Sequence, residues 1–389
     1  MTDTLTIETE RFTMRKLVRS DAAALLPTLG SEEQCRYMSR PHFESEEELA
    51  DWLTDPTWDG RSWAAISKAD DSLQGRFVAV PTHDPEVEEI IAARPDVLTF
   101  HGVFPDEDLY VKVLEAGIDV VTTADWITGY HRDTNHPHPS GRRVSELIAA
   151  ACEAGGSTFY GTGMNPGLNQ ILGVVCTADV ADITNVTTIE SVDVFCHHSA
   201  DTWREVGYGR PVDDPALPAM LQRFTEVFAD SVHLKADCFG LELDEVRFEY
   251  ELGACTKDVD LGWYHLPKGS LGGSYIKFVG VVDDVPRVET HLEWQMTPHT
   301  DPSWDIKGCY ITQVTGDPQI YNKHMVFPGP GNDLSRPEDF ASLGMTVTGM
   351  PALHSIRAVH EARPGIITSA DLPLRAFGGR FSPEVRQRG

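Results

Sequence analysis

The chain has 389 residues, of which 60 are acidic and 32 basic, so its formal net charge at pH 7 is −28. Such a negative field repels phosphate backbones and anionic lipid surfaces, which argues against nucleic-acid and membrane partners. At about 150 residues per domain the length predicts two or three domains. The seven scattered cysteines form no CxxC pair, which argues against a disulfide framework or a structural zinc site. Because the first residues lack the apolar core of a secretory signal, we expect a cytoplasmic protein.

The first 80 residues predict the order strand, helix, helix, hairpin. Residues 5–18 alternate apolar and polar side chains, which indicates a strand with a turn or bulge near Glu10. Asp21 is the predicted N-cap of a helix that Pro27 would end or kink. Ser45 and Glu48 form a capping-box pattern before the next helix. Two short apolar runs, 62–69 and 75–80, are joined by turn residues and predict the hairpin.

From residue 81 the pattern changes to alternating helices and strands up to about residue 161, which is typical of βα units and a parallel sheet. From about Asn185 the strands become longer, with one helix predicted near 217–228 between the first two. These strands favour an α+β domain built on a mostly antiparallel sheet. A last helix is expected near 350–361.

The segment Ile118–Trp126, IDVVTTADW, is a buried strand that ends in polar residues. Ligands bind at the carboxyl ends of strands in open α/β sheets, so we expect Thr122, Thr123 and Asp125 to face a cleft. Asp125 is a candidate general acid or base. The alternative is that Asp125 is the N-cap of a helical turn starting at Trp126, and the sequence leaves both interpretations open.

A second strand end, Tyr160–Gly167, is followed by a glycine-rich turn, YGTGMNPG, and a helix. Its glycines allow the backbone to approach a ring or a phosphate, and a helix N-terminus favours an anion. A tight interdomain turn explains the same residues equally well.

No metal site is expected. His131, His136 and His138 lie in the segment HRDTNHPHPSGRR, where an intervening proline and the absence of a predicted helix favour a solvated lid loop over a set of metal ligands. The glycine-rich GxGxxG turn that seats a dinucleotide pyrophosphate does not occur in the chain, and neither does a Walker A or GxSxG motif.

Residues 1–80, with TERFTMRKLVRSDAAAL and SWAAISKADDSLQGRFV, resemble the first half of a GNAT acetyltransferase of the ribosomal-protein N-acetyltransferase type. The resemblance implies acetyl-CoA as cofactor and an N-terminal amine as acceptor. It stops before the family's R/Q-x-x-G-x-G/A turn, so acetyl-CoA is the less favoured cofactor.

Residues from about 84 to 381 resemble NAD(P)-dependent amine dehydrogenases related to 2,4-diaminopentanoate dehydrogenase and, more distantly, to dihydrodipicolinate reductase. The resemblance is carried by LEAGIDVVTTADWITG, AACEAGGSTFYGTGMNPGL, KGCYITQVTGDP and VTGMPALHSIRAV. It implies that the acidic residue after the VVT strand, here Asp125 where relatives often carry glutamate, handles the amine and the imine proton. It also implies a homodimer that acts on a small amine or ketone.

By the same resemblance, the cofactor side of the cleft comprises Thr122, Thr123, Gly161, Gly163, Asn165, Pro166 and Gly167. The candidates for the substrate pocket are the aromatic residues Trp126, Tyr130 and Trp203, and the alternative for each of them is a place in the hydrophobic core.

The combined prediction is a multidomain α/β and α+β protein. It consists of a partial GNAT-like segment (1–80), the second half of a Rossmann-like domain with an incomplete parallel sheet (81–165), an α+β substrate and dimerisation domain (166–345), and a C-terminal helix and tail that pack back on the Rossmann-like part (346–389). The predicted function is NAD(P)-dependent hydride transfer between a nicotinamide and an imine or amine. The alternatives are an acetyl-CoA-dependent N-acetyltransferase and a fusion protein without activity.

Overall fold

A computed structural model describes residues 6–9, 11–35, 42–55, 61–79, 87–102, 104–136, 138–329 and 343–378. The chain forms two compact units, Met1–Glu86 and Val87–Gly389. Among the helices in these described ranges, none combines the length and apolar character needed to cross a bilayer.

The first unit is a four-stranded antiparallel sheet with strand order β1-β2-β3-β4 and three helices. Its elements in chain order are β1 (Ile7–Glu8), β2 (Phe12–Lys16), α1 (Ala22–Leu29), α2 (Glu32–Cys35), α3 (Glu46–Leu53), β3 (Arg61–Ser67) and β4 (Leu73–Ala79). The predicted succession of a strand, helices and a hairpin is confirmed, but the described residues contain three helices where two were predicted, and the first strand is divided into two.

Two local predictions in this unit need correction. Asp21 directly precedes α1 but does not cap it, because its carboxylate binds the guanidinium of Arg15 and accepts the N–H of Val18. Pro27 lies inside α1 and does not end it, since the helix continues to Leu29. The predicted cap of α3 is confirmed, since Ser45 accepts the N–H of Glu48 at 3.2 Å.

The second unit contains a parallel sheet, a mixed sheet and the helices that cover them. Its elements in chain order are α4 (Val87–Ala93), β5 (Val97–Phe100), α5 (Glu107–Glu115), β6 (Asp119–Thr122), α6 (Tyr130–Asn135), α7 (Val144–Gly155), β7 (Thr158–Gly161), α8 (Asn169–Val175), β8 (Asn185–Asp193), α9 (Ala200–Val206), α10 (Leu217–Thr225), α11 (Val227–Phe239), β9 (Glu245–Cys255), β10 (Val259–Asp260), β11 (His265–Leu266), β12 (Leu271–Val282), β13 (Val285–Gln295), β14 (Thr300–Asp301), β15 (Cys309–Thr315), β16 (Ile320–His324), α12 (Leu343–His360) and β17 (Gly365–Ile367).

The parallel sheet has the order β17-β7-β6-β5, and every neighbouring pair is parallel. Both faces are covered, as parallel sheets require. Val120 packs with α5 and α7 on one face, and Val121 packs with α12 on the other. The predicted βα alternation is therefore confirmed, and β17 is a fourth strand that the sequence pattern did not indicate.

The mixed sheet has the order β14-β9-β12-β13-β8-β15-β16. All its neighbours are antiparallel except β13 and β8, so the predicted mostly antiparallel sheet is confirmed. Three helices, α9, α10 and α11, lie between β8 and β9 where one was predicted. The longest, α11, buries Phe228, Val232 and Ala236 against β12 and β13. Helix α8 packs on β8 so closely that a Cβ on Gly173 would lie 2.7 Å from Thr188.

Candidate active site

A cavity of ≈ 660 Å³ opens at the carboxyl ends of β6 and β7. Thr123 and Asp125 follow β6 and reach it from one side, and Asn165 follows β7 and reaches it from the other. The opposite wall is largely apolar, with Met220 and Phe224 on α10 among its residues. We call this space the Asp125 cavity. It has the composition typical of small-molecule sites, in which apolar walls surround a few polar groups.

The segment after β6 places Asp125 in the cavity wall. Thr122 is fully buried, where its hydroxyl contacts the phenol of Tyr110 at 3.1 Å and accepts the N–H of Ala124 at 2.9 Å. Thr122 therefore shapes the turn and does not line the cavity, whereas Thr123 does, with its hydroxyl 3.0 Å from His101 Nδ1.

Asp125 itself adopts φ = 47°, a left-handed conformation that is strained for a residue other than glycine. The helical turn expected at Trp126 does not form, and the next helix begins at Tyr130. The N-cap interpretation of Asp125 is therefore wrong.

His131 lies between two carboxylates. Its Nε2 is 3.2 Å from Oδ1 of Asp125, and its Nδ1 is 3.0 Å from Oδ1 of Asp230 on α11. These are ion-pair contacts, since neither ring N–H is aligned for a hydrogen bond. His131 is only 1% exposed, and burial alone would lower its pKa. The two carboxylates outweigh burial and raise the pKa of His131 to about 9, so its ring is positively charged at pH 7.

Asp230 holds the backbone at the start of α6, which carries His131. Its carboxylate accepts the backbone N–H groups of Thr128 (3.0 Å), Gly129 (2.8 Å) and His131 (2.8 Å), which caps the N-terminus of α6. Burial would raise the pKa of Asp230, but His131 and these N–H groups outweigh it and hold the pKa below its ordinary value. Asp230 thus stays ionised in a fully buried position and fixes both the helix and the imidazole.

Arg132 supplies a second positive charge beside Asp125. Its Nη1 donates to Oδ2 of Asp125 at 3.2 Å, while its Nη2 donates to Glu107 at the start of α5. Each oxygen of Asp125 therefore faces a different cation, His131 or Arg132. Because both contacts come from neighbouring residues of α6, the carboxylate is held in one orientation at the cavity wall.

Asn165, in the turn after β7, is held by hydrogen bonds on both ends of its amide. Its Oδ1 accepts from Gln170 at 2.9 Å and from Asn169 at 3.4 Å, and its Nδ2 donates to Glu190 on β8 at 2.7 Å. This leaves one N–H of Nδ2 without a partner in these contacts. Burial raises the pKa of Glu190 to about 7, even though Asn165 and the indole of Trp294 favour its charged form.

The glycines of this turn differ in their roles. Gly161 is buried beneath the Asp125 segment, where an added Cβ would lie 2.2 Å from the carbonyl oxygen of Trp126. Gly167 is also buried, has φ = 134°, and donates its N–H to the side chain of Gln170 at 2.7 Å. Of these three glycines Gly163 alone lines the Asp125 cavity, and its neighbours in the turn, Thr162, Met164, Asn165 and Pro166, line it as well.

The three predicted aromatic residues are not brought together. Trp126 lines the Asp125 cavity and is otherwise buried, with its ring edge-to-face against Phe159. Tyr130 is 46% exposed and packs on His233. Trp203 belongs to the core of the mixed sheet and lines a different cavity, described below.

The expected lid loop with three histidines is also corrected. His131 is buried on α6, and His136 at the end of that helix pairs with Glu226. Both histidines contact carboxylates, His131 that of Asp230 on α11 and His136 that of Glu226, the residue before α11. Among the described residues, no group of histidine, cysteine and carboxylate side chains is arranged to hold a metal.

The residues of the second unit fit one end of a nicotinamide dinucleotide better than the other. The amide of Asn165, the hydroxyl of Thr123 and the apolar side chain of Met164 suit a nicotinamide ring and its carboxamide. The pyrophosphate has no comparable cradle among the described residues of this unit. Helix α5 is already capped by Asp106 and begins with Glu107 and Asp108, whose charges oppose a phosphate.

Sequence reasoning missed Asp230, Arg132 and Glu190. Asp230 meets His131 across a separation of 99 residues, and no local pattern marks such a contact. Glu190 could have been found from the sequence. It shares a strand face with Thr188 and Val192, and a carboxylate on a covered face of a sheet needs a hydrogen-bond or charge partner.

Comparison with known proteins adds two findings, although no family model matches the chain. A curated amine dehydrogenase from Streptomyces virginiae is 27% identical over 319 residues, which span 79% of this chain and 85% of the relative. The solved structure of an amine dehydrogenase from Mycobacterium smegmatis matches with a TM-score of 0.56 at 17% identity, over 76% of this chain and 80% of that chain. The second match shows the fold alone, and neither supports the acetyltransferase resemblance of residues 1–80. The resemblance of this chain to amine dehydrogenases is thereby confirmed.

Proposed function

We propose that the protein is an NAD(P)-dependent oxidoreductase that interconverts a small primary amine with the corresponding imine or ketone. The observation that carries the proposal is the carboxylate of Asp125, which is fixed between two cations at the wall of a largely apolar cavity. The similarity to a curated amine dehydrogenase supports the same reaction.

Asp125 is placed to bind the substrate nitrogen and to move its proton. Its two oxygens have more lone pairs than the contacts with His131 and Arg132 use, so an ammonium group can donate to it as well. Taking the proton from the ammonium leaves the neutral amine, which is the form that can be oxidised. In the reverse direction Asp125 returns the proton to the nitrogen.

His131 and Arg132 act through Asp125 as positioning residues. Both carry positive charge, so their ion pairs hold the carboxylate of Asp125 in place and help to stabilise the strained backbone of that residue. The apolar side chains Met220, Phe224 and Phe228 exclude water from the opposite wall and favour a substrate with a hydrocarbon body. A nicotinamide bound near Asn165 would accept the hydride from the carbon that bears the nitrogen.

The test compares Asp125→Asn with Asp125→Glu and with the control Glu205→Gln, which removes an exposed carboxylate from the same cavity. A panel of small primary amines is assayed for reduction of NAD⁺ and NADP⁺. We expect Asp125→Asn to lower kcat by about a hundred-fold or more, as loss of a general base does, while Asp125→Glu retains part of the activity.

Two results would refute the proposal. One is an Asp125→Asn variant with the kcat of the wild type. The other is a folded wild-type protein that oxidises none of the amines and binds neither NADH nor NADPH in a calorimetric titration.

A further inference from the structure

A second cavity, of ≈ 440 Å³, lies on the covered face of the mixed sheet. Glu190 and Tyr310 line it from β8 and β15, Trp203 lines it from α9, and Trp294 lines both this space and the Asp125 cavity. We call it the Glu190 cavity. None of the functions assigned above uses it, and its volume is sufficient for a small ligand.

The Glu190 cavity contains two carboxyl groups without a matching positive charge, and burial raises the pKa of both, that of Glu190 to about 7. A cation bound beside them would favour their ionised forms. Glu190 and Asp193 both line it, whereas no lysine or arginine does among the described residues. Its one basic group is His197, whose pKa is held below its ordinary value by burial and by the neighbouring His198, so it is uncharged near pH 7. Asn165 donates a hydrogen bond to Glu190 at 2.7 Å.

The surrounding groups also suit a cation with a hydrocarbon body. Trp203 is fixed by its own hydrogen bond, from Nε1 to the carbonyl of His197 at 2.8 Å, and its ring stands edge-to-face with that of Trp294 at 5.9 Å. Aromatic faces attract ammonium groups. Trp294 is only 8% exposed, and its indole N–H favours the ionised form of Glu190. Val192 and Val347 add apolar surface.

We infer that the Glu190 cavity is a second binding site for a small organic ammonium ion, separate from the Asp125 cavity. The ammonium would pair with Glu190 and Asp193, and the hydrocarbon body would lie against Trp203 and Trp294. The choice of a primary amine as probe rests on the proposed function, but binding itself requires neither turnover nor a cofactor.

The experiment is a calorimetric titration of the full chain with n-butylammonium, and with n-butanol as an uncharged ligand of the same shape. It uses the wild type, Glu190→Gln, Asp125→Asn and the control Glu153→Gln, which neutralises an exposed carboxylate on α7. Glutamine retains an oxygen that accepts from Asn165, so Glu190→Gln preserves that hydrogen bond while removing the charge.

We expect a butylammonium site that persists in Asp125→Asn and Glu153→Gln and is weakened about ten- to hundred-fold in Glu190→Gln, the usual effect of losing a charged hydrogen bond. Butanol should bind at least ten-fold more weakly than butylammonium. The inference is overturned if Glu190→Gln binds butylammonium as the wild type does, if Asp125→Asn abolishes all binding, or if butanol binds equally well. Failure of the proposed function would instead appear as loss of turnover with this site intact.

Discussion

The ion-pair cluster around His131 predicts a stability that depends on pH in a defined way. A rise of the His131 pKa from 6.5 to about 9 corresponds to about 3 kcal/mol, at about 1.4 kcal/mol per pKa unit. Because the folded state binds this proton more tightly, the contribution is fully present below pH 6.5 and is lost as the pH rises through about 9. His131→Gln removes the titrating group and leaves the buried Asp230 without its counter-charge.

The assay is urea unfolding of the wild type and His131→Gln at pH 6 to 10, followed by tryptophan fluorescence, with the exposed His299→Gln as control. The difference in unfolding free energy between wild type and His131→Gln should decrease by about 3 kcal/mol over this range. Taking the difference cancels the other groups that titrate in both proteins. A difference that is the same at pH 6 and pH 10 would refute the assignment of a charged His131.

Two further predictions concern packing and a buried amine. Gly161→Ala places a methyl group 2.2 Å from the carbonyl oxygen of Trp126, so it should destabilise the fold by about 1–3 kcal/mol in urea unfolding, whereas Gly75→Ala, with open space around it, should not. Lys235 is fully buried beside Thr188 and Thr290, and burial lowers its pKa to about 7. Its protonated form is disfavoured in the folded state, so the stability of the wild type relative to Lys235→Met should increase between pH 7 and pH 10, and a flat difference in the same unfolding series would contradict this.

The positions of the cavity residues followed from the sequence because neighbouring parallel strands end at the same edge of a sheet. Thr123 and Asp125 after β6, and Asn165 and Pro166 after β7, do line one cavity. The prediction that Thr122 faces the cleft was wrong. The alternation of side chains along a strand does not reveal that its hydroxyl forms hydrogen bonds inside the protein, with Tyr110 and with the N–H of Ala124.

The electrostatics of the site could not be predicted in the same way. The charge of His131 depends on Asp230, which contacts it from α11. The sequence predicted one helix between β8 and β9, where the structure has α9, α10 and α11. The conformation of Asp125 also depends on residues distant in the sequence. Trp126, the residue after Asp125, packs directly against Gly161 on β7, where a side chain would leave no space for it. Such contacts arise from tertiary packing, which local periodicity does not encode.

The two cavities differ in the environment that they offer to an ammonium group, because cationic side chains contact the carboxylate of Asp125 and none contacts that of Glu190 among the described residues. Asp125 is already paired with His131 and Arg132, so an ammonium there gains less attraction and gives up its proton more readily. Glu190 has no lysine or arginine beside it among the described lining residues, so at the proposed second site a bound ammonium would be the cation that favours the ionised carboxylate. Asn165 lines the Asp125 cavity and donates a hydrogen bond to Glu190, so this one amide contacts the reacting-side cavity and the carboxyl group of the other.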